Sequence, residues 1–155
     1  MPGVPHGTRL PIGRSLYSRS ALIDTGAFLA VTNLQDQNHH EALECLVVLA
    51  RHRIPLFVSL PTIYESHRRF LFDLGYPTAI AFLQEVFDGS VNIVRTVDQD
   101  ETEARTLLGR YAALGLTLTD AANMAVMTRL GIAAAFSFDA DYLAAGFIRI
   151  PPFHL

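Results

Sequence analysis

The sequence predicts an α/β fold: a mostly parallel sheet of four to five strands flanked by helices. Short apolar runs rich in β-formers, such as Ala21-Leu22-Ile23 and Leu56-Phe57-Val58, alternate with longer stretches of helical periodicity. Glycine and proline fall between these stretches, as at Gly75-Tyr76-Pro77, Gly115 and Gly131. At 155 residues, half of them hydrophobic, the chain reads as one domain able to bury roughly two thirds of its unfolded surface.

Residues 1–19 carry Pro2, Pro5, Pro11, three glycines and three arginines without apolar periodicity. They read as a flexible leader, part of it open to a non-native origin, before a single domain over residues 20–155. In order, the pattern predicts a strand over 20–24, helices over 26–34 and 39–52, and a strand over 55–58. Helices over 61–74 and 77–87 follow, then a strand over 91–95 and helices over 98–114 and 119–130. Strands over 132–137 and 147–150 complete the set. Gly75 can end one helix, and Pro77 disfavours helix at the residue before it. Gly115 and Gly131 are expected to terminate the two later helices in the same way. Helices 61–74 and 77–87 should form a hairpin, and its apolar content, including Phe70, Phe72, Phe82 and Phe87, suits either core or a surface for another chain.

Composition removes several function classes. The single Cys45 excludes an internal disulfide framework and is expected to be a small buried hydrophobe. No apolar segment reaches the roughly 18 residues that span a bilayer, and the N-terminus lacks the apolar core of a signal peptide. A cytoplasmic location and no membrane partner are therefore expected. The net charge of −3 argues against a polyanion partner at first sight, but the balance misleads if several acids surround one cation. All 12 basic residues are arginine, which suits phosphate recognition and equally suits a composition bias.

The chemistry rests on carboxylates at the ends of elements. Asp24 follows Ala21-Leu22-Ile23, where strand period gives way to helix period, so it faces the crevice at the strand's carboxyl end or caps the next helix, with Thr25 the competing cap. Glu65 lies off the apolar stripe Ile63, His67, Phe70, Leu71, Leu74, on a polar face with Arg68 and Arg69. Those arginines can pair with it along the helix or contact a substrate phosphate. His67, on the stripe, reads as a core or partner-facing side chain. Asp120 follows Thr119, a good cap, and sits in a helix first turn where the dipole favours a carboxylate. Asn123, one turn on, is a supporting or substrate-contacting candidate. Ala121, Ala122 and Ala125 would let this helix approach the sheet closely. Asp139 closes a buried strand, with Asp141 and Ser137 as secondary candidates, although an aspartate there also suits a turn.

Leu22-Ile23-Asp24-Thr25, the segment Ser59 to Glu65, Leu118-Thr119-Asp120-Ala121 and Phe136-Ser137-Phe138-Asp139 with Asp141-Tyr142 occur in that order. Together they resemble the PIN-domain ribonucleases, especially the VapC-type toxins of toxin-antitoxin pairs, over roughly residues 20–150. The resemblance implies a PIN-like, Rossmann-like sheet with Asp24, Glu65, Asp120 and Asp139 as catalytic residues around one or two Mg²⁺ or Mn²⁺ ions. Carboxylate oxygens suit these hard cations. It further implies an RNA substrate, cleavage to a 5′-phosphate and a 3′-hydroxyl, a cognate antitoxin and a homodimer. Ser137 stands where the family often has Thr, which preserves the hydroxyl. Four carboxylates packed together should raise at least one pKa by mutual repulsion.

Other readings are a PIN nuclease of RNA processing without an antitoxin, or a catalytically inactive PIN module using the hairpin as a contact surface. Asp24-Thr25-Gly26-Ala27 also looks like the aspartic-protease motif. That chemistry belongs to an all-β fold and needs a second aspartate sharing a proton, whereas long helical stretches follow here. A nucleotide-binding fold would need a glycine-rich loop after the first strand.

Overall fold

The computed structural model describes residues 19–152. The expected leader, apart from Arg19, therefore lies outside the described residues. Five strands form one sheet, β1 (Ala21–Ile23), β2 (Leu56–Ser59), β3 (Asn92–Val94), β4 (Ala134–Phe136) and β5 (Ile148–Ile150), in the order β3-β2-β1-β4-β5. Every pairing is parallel, with Ala21 opposite both Leu56 and Ala134, and Ile23 opposite Phe136.

β1 is central and buried throughout, as a parallel strand covered on both faces must be. Alternation sends Ala21 and Ile23 to one core with Val58, Phe70, Phe82 and Phe136, and Leu22 to the other with Phe57, Met124, Val126 and Ala135. The first core is covered by α1 (Thr25–Thr32), α2 (His39–Arg51), α3 (Leu60–Asp73) and α4 (Tyr76–Glu85). The second is covered by α5 (Asp98–Arg110), α6 (Leu118–Leu130) and α7 (Asp141–Ala144). Cys45 is buried as expected, a free thiol pushed up to about 12 by burial and then by the Glu41 charge.

The α3–α4 hairpin forms as predicted and locks onto α1 through Phe82, whose ring centroid lies 4.7 Å from Phe70 and 5.1 Å from Phe28. Phe72 and Phe87 remain exposed. α4 begins at Tyr76, before Pro77, contrary to the expected start at 77. Pro in the first turn removes no intrahelical hydrogen bond, so the helix tolerates it there. Gly75 supplies the positive φ of 95° that turns the chain. The helix expected over 98–114 is α-helical only to Arg110 and ends in a 3₁₀ turn, Ala112–Leu114. The strand expected over 132–137 is shorter, because only Ala134–Phe136 find partners on both sides. No helix among the described residues is long and apolar enough to cross a membrane.

Candidate active site

The parallel sheet places the carboxyl ends of its strands on one edge, and the acids gather there. Asp24 directly follows β1, and its N–H extends the ladder to the Phe136 carbonyl at 3.2 Å. It is the helix cap as well as a cleft residue. Its Oδ1 accepts the Ala27 N–H at 2.9 Å, and its Oδ2 accepts the Ser137 hydroxyl at 2.5 Å. Thr25, the competing cap, instead accepts the Ser66 hydroxyl at 3.2 Å.

The contacts run on along the chain that follows β4. Ser137 Oγ accepts the Asp139 N–H at 2.9 Å, and Asp139 Oδ1 accepts the Asp141 N–H at 2.9 Å. Asp24, Ser137, Asp139 and Asp141 are thus fixed in sequence by hydrogen bonds. On α6, Asp120 closes a capping box with Thr117, each accepting the other's backbone N–H at 3.1 Å. The expected cap was Thr119. The structure uses Thr117, because a capping box requires the acid three residues after the cap.

Asp24, Glu65, Asp120 and Asp139 line a single cleft of about 370 Å³, together with Thr25, Arg69, Thr117, Thr119, Asn123 and Phe138. Burial lifts the Asp24 pKa to about 6. The Ser137 and Ala27 hydrogen bonds oppose the rise, and the Asp120 and Asp139 charges add to it. Asp141 is raised too, by burial and then by the charges of Asp139 and Asp120. The expected mutual repulsion is therefore present, but desolvation exceeds it at both groups.

The two arginines separate. Arg69 lines the cleft and pairs with Asp73 at 3.3 Å, whereas Arg68 lies over the Phe72 ring at 5.4 Å, on the next row of the helix. Neither forms the expected ion pair with Glu65, since Arg69 finds its carboxylate four residues on rather than four back. Asn123 is fully buried in the cleft floor and bonded to Ser59, Thr62 and Tyr142. Sequence reasoning missed Ser59, Thr62 and Ser66 as part of this construction. Their signal was small polar residues spaced i, i+3, i+7, a helical row of hydroxyls that proves to be a buried face.

Among the described residues, no three acidic, histidine or cysteine side chains are already gathered as a metal-holding group. The donor chemistry nonetheless suits a hard cation, since Mg²⁺ usually takes one or two carboxylates and keeps waters for the rest. A cleft with four acids and one arginine on its walls also repels a phosphate until a cation offsets that charge.

The PIN domain family model matches residues 21–148. The chain belongs to the PIN-domain family. This PIN domain is 25% identical over 138 residues to the 23S rRNA-specific endonuclease VapC20 of Mycobacterium tuberculosis, covering 84% of this chain and 97% of that protein. The crystal structure of that VapC20, described as a sarcin-ricin loop cleaving toxin, superposes with a TM-score of 0.77 at 27% identity, covering 86% of this chain and all of the other. VapBC2 from Rickettsia felis, bound to a promoter DNA fragment, gives 0.61 at 12% identity, covering 84% and 96%. FitAcB from Neisseria gonorrhoeae gives 0.64 at 16%, covering 87% and 99%. At those identities the last two show the fold alone. The expected α/β PIN fold and its kinship with an endonuclease are thus found, and the all-parallel sheet removes the aspartic-protease reading.

Proposed function

We propose that this PIN domain is a metal-dependent endoribonuclease whose site is Asp24, Glu65, Asp120 and Asp139. The observation that carries this reading is the convergence of these carboxylates, from four separate parts of the chain, on one cleft at the carboxyl edge of the sheet. These four residues would hold Mg²⁺ or Mn²⁺. When bound, such a cation offsets phosphate charge and makes water a competent nucleophile near neutral pH.

The chain's own residues do the rest. Ser137 and the Ala27 N–H hold both oxygens of Asp24, so its orientation is set before substrate arrives. Arg69, on the cleft wall, reaches a phosphate, and Asn123 closes the floor. Water attack on phosphorus breaks the bond to the 3′-oxygen, which takes up a proton. The products are a 5′-phosphate and a 3′-hydroxyl.

Likeness to VapC20 supports ribosomal RNA as the substrate class and a toxin as the setting; a cognate antitoxin and a homodimeric working form are further parts of the proposal. A cytoplasmic location follows from that substrate. The test is cleavage of purified ribosomal RNA by the full chain with Mn²⁺ or Mg²⁺ and with chelator. Asp24→Asn, Glu65→Gln, Asp120→Asn and Asp139→Asn are each expected to reduce cleavage to background, and Arg69→Ala to weaken RNA binding more than Arg68→Ala. Full activity in chelator, or in Asp24→Asn, contradicts the proposal.

A further inference from the structure

Directly beneath the acids lies a closed polar cluster, one member of which, Ser59, also caps α3 by accepting the Thr62 N–H at 3.3 Å. Ser59, Thr62, Asn123 and Tyr142 are all fully buried. Asn123 Oδ1 accepts the Ser59 hydroxyl at 2.5 Å and lies 3.1 Å from Thr62 Oγ1. Its Nδ2 donates to Thr62 Oγ1 at 2.9 Å and to Tyr142 Oη at 3.2 Å. Thr62 Oγ1 also lies 3.0 Å from Ser59 Oγ, and with the Ser59 proton given to Asn123 it is the Thr62 hydroxyl that donates there and closes the ring.

Simple space-filling between these helices does not call for hydroxyls and an amide, and a satisfied buried network of this kind acts chiefly by rigidifying and specifying one arrangement. What the cluster supplies is fixed geometry. Its four members come from the end of β2, from α3, from α6 and from α7. Three of them stand one step from an acid. Thr62 is one helical turn before Glu65, Asn123 is one turn after Asp120, and Tyr142 directly follows Asp141 in the turn that Asp139 caps. A slip of any of these elements therefore has to break a buried hydrogen bond.

We propose that Ser59, Thr62, Asn123 and Tyr142 are positioning residues. In this reading they form one truss that sets the spacing of Glu65, Asp120 and Asp139 across the cleft and so tunes its affinity for a divalent cation. The inference rests on the metal-site assignment proposed above. Partners that orient ligands from behind in this way typically change metal affinity or activity by about 10- to 100-fold when removed.

The test uses the full chain with Mn²⁺, free Mn²⁺ being read by electron paramagnetic resonance. Tyr142→Phe removes only the hydroxyl, and Ser59→Ala removes the hydroxyl at the far end together with the α3 cap, a modest loss of stability, so both are expected to fold. Each should lower Mn²⁺ affinity about 10-fold or more and reduce kcat on RNA with KM unchanged. The far-ultraviolet circular dichroism should stay that of the wild type. Because the truss acts as a unit, the double variant should lose little more than the worse single one. Wild-type Mn²⁺ affinity within about twofold in both single variants, beside a wild type that binds normally, overturns the truss and leaves the metal site standing. A wild type that binds no Mn²⁺ overturns the metal-site assignment itself and the truss with it.

Discussion

Replacing Asp24 by Asn should make the metal-free protein more stable while destroying its activity. Burial lifts this carboxyl from 3.8 to about 6, so the native state holds the proton more tightly than the unfolded chain does. Between those two values the folded protein binds more protons, and stability falls as pH rises through that window. Above about pH 6 the buried, ionised carboxylate costs the fold about 3 kcal/mol, from a shift of about 2 units at ~1.36 kcal/mol each. Asn removes the charge and keeps the volume. Its Oδ1 can accept the Ala27 N–H, and its Nδ2 can donate to Ser137 Oγ. In chelator at pH 7.5 the variant should gain about 2–3 kcal/mol, or about 5–10 °C in Tm for a chain of this size. At pH 4 the wild-type carboxyl is mostly protonated in the folded state, and the gain should shrink to about 0.5 kcal/mol. Urea unfolding at the two pH values measures both. A gain that is the same at both, or a loss at pH 7.5, refutes the assignment of strain to a desolvated charge.

Two further outcomes are expected. Mn²⁺ affinity, followed by calorimetry, should fall as pH is lowered through about 6, since Asp24 must lose its proton to act as a ligand; affinity independent of pH between 7.5 and 5 would exclude it from the metal's ligands. Arg129→Ala should cost about 3 kcal/mol in urea unfolding at neutral pH, because it leaves the buried Asp100, now bonded by Arg129 at 2.8 Å through two nitrogens, without its cation. Burial pushes the Asp100 carboxyl up, but the Arg129 bonds and charge and the Val97 N–H hold it below its ordinary value. Its contribution is therefore present at neutral pH and fades as pH falls below about 3.8, and an undiminished cost in strong acid would speak against the pair.

Much of the frame was legible because strand and helix periods differ so sharply here. β1 and β4 carry unbroken apolar runs, as a sheet covered on both faces accommodates; Asp24 follows β1 at once, and Asp139 follows β4 after Ser137 and Phe138, each ahead of a helical pattern. The convergence of Asp24, Glu65, Asp120 and Asp139 on one edge follows from that order of elements. Finer features depend on three-dimensional competition. Arg68 and Arg69 are indistinguishable as neighbours on a polar face, yet one stacks on Phe72 and the other reaches the cleft. Asn123 lies mid-helix, where its polarity by itself suits solvent as well as burial, and only the facing hydroxyls of Ser59 and Thr62 decide it. The Thr117–Asp120 box was written in the sequence as Thr-x-x-Asp, but the adjacent Thr119 offered an equally ordinary cap.

The strand order has a consequence for the moment at which this protein becomes active during its own synthesis. Asp24 is made early, but its wall of the cleft is completed by β4, which pairs with β1 across more than a hundred intervening residues. Ser137, which orients Asp24, and Asp139, which faces it, leave the ribosome only after α6 has been made. An emerging chain with β1, β2 and β3 already paired still lacks half of its acid-bearing edge. A chain built this way cannot bring its four cleft acids together until nearly the whole sheet has been synthesised, so the order of its strands works as a delay line.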